Sequence, residues 1–553
     1  MTETRLKLST ALGGTLGGFE GWLKANSPDT ADQVCDEWVR RVEAGAKKVT
    51  RKRRAKRGFR HAWFDDEVRA AVKAKQSAFA AKELSGSESD QVEYIKLREA
   101  CNELVRRKKK TSWADLLAKL SDEFKHHPRL FFSTLGQVAG VKAGADAIGP
   151  VRDVDGSLQV EEDDKRDAMA SFYEKLGKAV KVSSPLTEDQ RTNGAAFQTR
   201  FDDDFRKEVD QKVVGLLKNT KNVRRTFGRG RERQRSKRLS NDRFKVQEIQ
   251  RVLETLRLGA PGGDCLPAEF FRFGGEPMAS SLCLLFNWVI DHSAVPSSWG
   301  KALVVLLFKD GDRADPGNYR GISLLDIVGK VFCRVIVNRF ETNLKMSPEQ
   351  GGFTRGRGCE HNLFVLMQTL HRRKRAGKDS FLFFLDVRKA FDTVWREGLL
   401  LKLWESGVQG KLWHALAALY SSNKSAILVN GRPTRWFDIQ QGVRQGGTES
   451  PFLFKLYIDG LVAELKKLNL GVLLKDGSVV SEDHLLSVLL FADDIVLVAE
   501  SRSDLQKLID VVAAYSHKWR FKENLGKCGV MSVLANKPAH VCGSGKCLET
   551  LRW

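Results

Sequence analysis

A mixed α+β fold is what the second half of this sequence predicts, and three observations predict it. Apolar runs of strand length recur at 303–308, 381–387, 425–429 and 488–498. Segments with helical periodicity lie between them, at 326–344, 361–375, 399–421 and 451–468. Short turns join some of the runs, as β-hairpins require. Mixed strands and helices of this kind suggest one α+β domain of about 300 residues.

The remainder is bounded by composition. The chain has 553 residues, 42% hydrophobic and 29% charged, enough apolar material for several cores, so disorder of the whole chain is excluded. A net charge of +23 points to a polyanionic partner, nucleic acid first and an acidic membrane surface second. Nine irregularly spaced cysteines argue against a disulfide framework. Cys528, His540, Cys542 and Cys547 match no common zinc knuckle and read as ordinary side chains. No apolar stretch follows Met1, and the longest apolar run is broken by Asp493 and Asp494, so neither a signal peptide nor a membrane span is expected. The protein reads as intracellular.

From the N-terminus, residues 1–60 read as a flexible basic leader, with eight cations among residues 47–57. Such a run is a solvated tail, a nuclear-import signal or a nucleic-acid arm. Residues 61–140 form a basic helical connector, with helices expected at 65–84 and 89–120 and five consecutive cations at 106–110. Residues 141–242 read as a linker with short helices and a second basic run at 221–238. Like-charge blocks of this kind are expected to stay solvated until they meet an anion. Val246, Ile249, Leu253 and Leu256 then mark an amphipathic helix that stops at Gly259, before Pro261.

The carboxylates carry the chemistry. Two apolar runs without helical period flank Asp493-Asp494, which fits a β-hairpin with both aspartates at its tip. Two adjacent carboxylates repel, and a divalent cation relieves them. A second apolar strand ends in Asp386, with Phe391 and Asp392 soon after. If Asp386 and Asp493 come from adjacent strands, they can hold two Mg²⁺ ions about 4 Å apart. Hard oxygen ligands suit Mg²⁺ and exclude zinc.

These segments stand in an order that resembles the reverse transcriptase domain of non-LTR (LINE-type) retrotransposons, over residues 260–531. Ala260-Pro261-Gly262-Gly263-Asp264 resembles the early finger motif. Lys309-Asp310-Gly311-Asp312 and Asn318-Tyr319-Arg320-Gly321-Ile322-Ser323-Leu324 resemble the paired finger segments, with Gly321 where the family usually has Pro. Gln350-Gly351-Gly352-Phe353, with Arg355 and Arg357, resembles the next. Arg444-Gln445-Gly446 and Ser450-Pro451 resemble the Gln-Gly motif, with Gly447-Thr448-Glu449 replacing the usual Cys-Pro-Leu. Phe491-Ala492-Asp493-Asp494 is similar to the second carboxylate motif, and Asn524 with Lys527 to the motif after it. The resemblance implies a right-hand polymerase, with fingers at 243–380 and a palm with an antiparallel sheet at 381–553, preceded by the basic helical region. The thumb, and an apurinic-type endonuclease ahead of the connector, are expected to be missing.

The resemblance also implies roles. Asp386, Asp493 and Asp494 would bind two Mg²⁺ ions (Mn²⁺ substituting), Asp386 and Asp493 as main ligands and Asp494 in support. Asp392 reads as a local structural acid. Phe391 would be the aromatic gate that favours dNTPs over ribonucleotides. Lys309 and Arg320 would grip the triphosphate, and Gln445 and Gly446 would lie near the nascent base pair. Arg355 and Arg357 would meet template phosphates, and Lys527 would protonate the leaving pyrophosphate. Ser450 reads as a helix N-cap, and Leu453, Tyr457, Leu461 and Leu465 as the buried stripe of that helix. The partners implied are an RNA template, a DNA primer and dNTPs, with no membrane. The rival readings are a catalytically silent nucleic-acid-binding remnant of an element and a maturase-like RNA-binding protein.

Overall fold

The structure, a computed structural model, describes residues 2–49, 65–85, 87–126, 148–159, 161–178, 195–218, 241–474, 484–535 and 540–542. The chain divides into two compact units, Thr50–Ala147 and the remainder.

In the smaller unit, helix Asp66–Ser85 packs on helix Glu88–His126. Capping side chains open both. Asp65 accepts from the Val68 amide at 3.1 Å and Ser87 from the Asp90 amide at 3.3 Å. Residues 106–110 are part of the second helix, within the helix expected at 89–120, and Arg106 and Arg107 are exposed on it. Acids nearby answer their charge: Lys108 meets Asp65 and Glu67, each at 2.6 Å, and Arg106 meets Glu103 at 3.5 Å. Residues 50–57 and 221–238 lie outside the described residues.

The larger unit opens with a correction. Residues 2–49, expected as a flexible leader, form helices Thr2–Leu16, Phe19–Asn26 and Ala31–Val49. Leu8, Leu12 and Leu16 recur at helical spacing, as do Val34, Trp38 and Val42, and all six are buried. Their partner is helix Gly275–His292 with the short helix Ala268–Phe273. The Trp38 ring lies 5.9 Å from that of Phe271, and its indole N–H donates to Ser281 Oγ at 3.1 Å. The basic run that suggested a leader begins only at Lys47, and ahead of it burial of these apolar faces, at about 25 cal/mol per Å², holds the helices in place.

Two five-stranded sheets follow. The first runs Tyr319–Leu324, Lys301–Phe308, Asn423–Val429, Arg432–Pro433, with Phe437–Ile439 also paired to the third. Lys301–Phe308 and Asn423–Val429 are parallel, and the other pairs are antiparallel. Alternation along Lys301–Phe308 buries Val304 and Leu306 against Ala168 and Met169 of helix Glu162–Gly177.

The second sheet is antiparallel throughout, in the order Val488–Phe491, Asp494–Ala499, Ser380–Asp386, Gly529–Val533, His540–Cys542. Helices Arg502–Trp519 and Ser450–Lys467 share a core with one face, through Phe383, Leu385 and Ile495. Helix Cys359–Arg375 covers the other, through Leu382 and Val498. Ser380–Asp386 is central and covered on both faces, which is why its sequence is a nearly unbroken apolar run. The expected helical segment 399–421 is two helices, Arg396–Glu405 and Lys411–Ser421. Leu453, Tyr457, Leu461 and Leu465 are buried as expected. Ser450, expected as N-cap, sits one residue inside the helix, and Glu449 takes the cap position. Among the described residues no helix is long and apolar enough to cross a membrane.

Candidate active site

The second sheet brings the carboxylates together at one end. Val488–Phe491 and Asp494–Ala499 form a hairpin with Phe491 opposite Asp494, leaving Ala492 and Asp493 as its turn. Ala492 takes φ +61°, the left-handed backbone that so tight a turn demands. Asp494 pairs directly with Asp386 on the neighbouring strand. Asp386 also receives Asn524 Nδ2 at 2.8 Å, and its backbone carbonyl receives the Asn524 amide at 2.8 Å.

The turn is held by the 350–352 motif, across some 140 residues of chain. Gln350 Oε1 accepts from the amides of Ala492 at 3.1 Å and Gly352 at 2.9 Å. Leu490 donates its amide to Glu349 O and accepts from the Gly351 amide. Gly352 lies so close that a Cβ there would sit 2.1 Å from the Ala492 nitrogen.

Beside the carboxylates opens a cavity of about 640 Å³. Lys309, Arg320, Phe391, Gln445, Asp386, Asp493 and Lys527 all line it. Asp494, Gly446, Arg355 and Arg357 are not among its lining residues. Arg357 spends its guanidinium on the Pro348 carbonyl at 2.5 Å, while Arg355 is exposed. Phe391 stacks on Phe454 with centroids 5.1 Å apart and meets Phe353 edge-on at 6.0 Å.

The electrostatics are those of acids crowded together. Burial pushes the Asp493 carboxyl up, with Asp494 and Asp386 adding to the rise and Arg320 opposing it. Burial and then Asp386 raise Asp494, which Lys527 opposes. Acids crowded in this way are what a divalent cation neutralises, although among the described residues no group of three His, Cys, Asp or Glu side chains is placed to hold a metal ion.

Sequence reasoning missed several contributors. Asp392, expected as a local structural acid, lines the cavity and accepts from Gln445 Nε2 at 3.1 Å. Burial raises its carboxyl, against the pull of Lys389, Lys309 and Arg320. Phe172 and Tyr173, from helix Glu162–Gly177, line the cavity as well, and nothing in their local sequence marks them.

The Gln-Gly loop is fixed from behind. Arg444 and Glu449 form a buried ion pair: Glu449 Oε1 accepts from Arg444 Nη2 at 2.7 Å, Arg444 Nε at 3.1 Å and the Tyr420 hydroxyl at 3.0 Å. Ser450 Oγ donates to the Arg444 carbonyl, and the Ser323 amide to the Gln445 carbonyl, each at 2.7 Å. A Cβ at Gly447 would lie 2.7 Å from Glu449 Oε1, so Gly447 and Glu449, both departures from the usual motif, accommodate each other. Gly446 takes φ +118°.

The antiparallel sheet and its hairpin turn thus present Asp386 and Asp493 to a cavity lined by cations, with Asp494 paired to Asp386 outside the lining. Known proteins share part of this sequence. Residues 309–545 match the model for reverse transcriptase (RNA-dependent DNA polymerase). The chain is 29% identical over 294 residues to the Pol polyprotein of the type-1 retrotransposable element R2 of Popillia japonica, covering 52% of this chain and 39% of that one. It is 27% identical over 306 residues to the RNA-directed DNA polymerase from mobile element jockey of Drosophila funebris, covering 52% and 32%. A 149 kDa protein of transposon TX1 of Xenopus laevis is 28% identical over 259 residues, covering 46% and 19%. Residues 309–545 are thus similar to a reverse transcriptase domain, and the relatives come from retrotransposable and mobile elements. It spans less than two fifths of the length of these relatives.

Proposed function

We propose that this protein is the RNA-directed DNA polymerase of a LINE-type element, extending a DNA 3′-hydroxyl on an RNA template with dNTPs. The observation that carries the reading is the convergence of Asp386 and Asp493 on one cavity with Lys309 and Arg320. In this reading Lys301–Phe308 and Tyr319–Leu324 of the first sheet belong to the fingers and the second sheet to the palm, while the strands within 423–439, expected in the palm, join the sheet of the fingers strands. Asp386, Asp493 and Asp494 would hold two Mg²⁺ ions, which when bound activate the attacking hydroxyl and stabilise the leaving pyrophosphate. Lys309 and Arg320 bind the triphosphate oxygens as charge-assisted donors. Phe391, which packs on Phe454 and Phe353, would exclude a ribose 2′-hydroxyl. Lys527, beside Asp494, supplies a proton to pyrophosphate. Arg355, which is exposed, would meet template phosphates, and most affinity for nucleic acid would be backbone-directed and steeply salt-dependent.

Primer extension on an RNA template annealed to a DNA primer, with Mg²⁺ and dNTPs, tests this. Extension by the parent and none by Asp493→Asn is the expected result. Binding of template–primer by both proteins with extension by neither would overturn the reading.

A further inference from the structure

Helix Glu162–Gly177 lies upstream of the matched residues 309–545, yet it touches three separate segments of the cavity. Its Tyr173 hydroxyl donates to the Tyr319 carbonyl at 3.4 Å, and the same ring lies 3.5 Å from where a Cβ at position 321 would stand. Those two residues flank Arg320. Phe172 places its ring under the Lys389 ammonium at 4.8 Å. At the end of the helix, the Leu176 carbonyl accepts from Gln441 Nε2 and the Gly177 carbonyl from the Gln440 amide, each at 2.8 Å, in the segment that leads into Gln445.

The arginine depends on this arrangement. Among the described residues no hydrogen bond or ion pair fixes the Arg320 guanidinium, so its place follows from its strand. Among those residues Tyr319–Leu324 is an edge strand, paired through its ladder only with Lys301–Phe308. Alternation turns Arg320 to one face and Tyr319, Gly321 and Ser323 to the other, more buried face, where Tyr173 packs. A Cβ at position 321 would also come within 2.8 Å of Val304 Cγ1. The Tyr173 ring thus reaches the strand at ordinary van der Waals distance, and the crowding a side chain at 321 would cause falls on Val304 instead.

We propose that Tyr173 is a positioning residue for nucleotide binding: it holds the Tyr319–Leu324 strand so that Arg320 meets the triphosphate of the incoming dNTP. The inference rests on the polymerase reading, and the ligand class is a deoxynucleoside triphosphate. Because Tyr173 acts through the strand on ground-state binding, its loss falls on KM and not on the chemical step.

The test is single-nucleotide incorporation on an RNA template–DNA primer with dTTP, comparing the parent, Tyr173→Ala and Tyr173→Phe. Tyr173→Ala is expected to raise KM for dTTP about 5- to 20-fold while kcat stays within about twofold. Affinity for template–primer is expected to be unchanged. Tyr173→Phe keeps the ring and should restore KM to near the parent value. Tyr173→Leu, which keeps an apolar side chain but loses the ring, should raise KM as Tyr173→Ala does, and it serves if the latter fails to fold. An unchanged KM in Tyr173→Ala, or a fall in kcat alone, overturns the proposal. If the parent does not extend, the polymerase reading fails by itself. Equilibrium binding of dTTP with Ca²⁺ to the complex carrying a dideoxy-terminated primer then decides: weaker binding by Tyr173→Ala supports the proposal, and equal binding overturns it.

Discussion

Replacing Glu449 by leucine, the residue more usual at that position, should destabilise the larger unit although leucine is the more apolar side chain. Glu449 Oε1 accepts three hydrogen bonds, two of them from Arg444, and both side chains are buried. Without the carboxylate, the guanidinium remains buried with the Trp299 carbonyl at 2.6 Å and the Cys333 sulfur at 3.8 Å as its acceptors. Leaving one partner of a buried pair uncompensated costs about 3–5 kcal/mol. For a cooperative unit of about 400 residues, at about 2.1 cal/mol/K per residue, this is roughly 4–6 °C in Tm. Replacing both charges by apolar residues removes the uncompensated charge, so Arg444→Met with Glu449→Leu should melt above either single variant. Thermal unfolding followed by tryptophan fluorescence on the parent, both single variants and the double variant measures this. A double variant whose loss equals the sum of the two single losses would refute the argument, because the two side chains would then be acting independently.

Two further outcomes follow from particular contacts. Gly352→Ala sets a methyl group 2.1 Å from the Ala492 nitrogen and must displace the Asp493 turn. A shift of about 1 Å should cost roughly 100-fold in kcat, with template–primer affinity retained in a filter-binding assay. Asp264 is held by burial, with Asp326 adding, at a pKa of about 7, far above the usual carboxylate value. Between about pH 4 and pH 7 the folded state therefore keeps a proton that the unfolded state has lost, and stability from this group falls as pH rises. Asp264→Asn removes that dependence, so its melting temperature relative to the parent should rise from pH 5 to pH 8.

What the sequence reveals about this fold depends on where each contact lies. Ser380–Asp386 was legible because a strand covered on both faces must be apolar throughout. The Asp493 hairpin was legible because both its strands carry apolar runs without helical period. Helices 2–49 were not legible: their apolar positions are interspersed with charge and glycine, and the surfaces that bury them lie far along the chain. At the site, motif residues announced themselves by type, but not what they touch. Gln350 stands in a recognisable motif, and only the fold shows it bonded to the turn that bears Asp493. Tyr173 reads as one more aromatic on an amphipathic helix. Asp392 seemed local because its partner, Gln445, is 53 residues away.

The N-terminal helices have a consequence for synthesis. Trp38 and its partner Ser281 are separated by 243 residues. At about 5–20 residues per second, a ribosome takes roughly 10–50 s to deliver the second after the first. During that interval the apolar faces around Leu12, Trp38 and Val42 can dock on one another but not on the larger partner surface they cover in the folded chain. Nascent chains should therefore be open to chaperones and to aggregation until the helix Gly275–His292 emerges, which makes slow translation of the intervening stretch a hazard for yield.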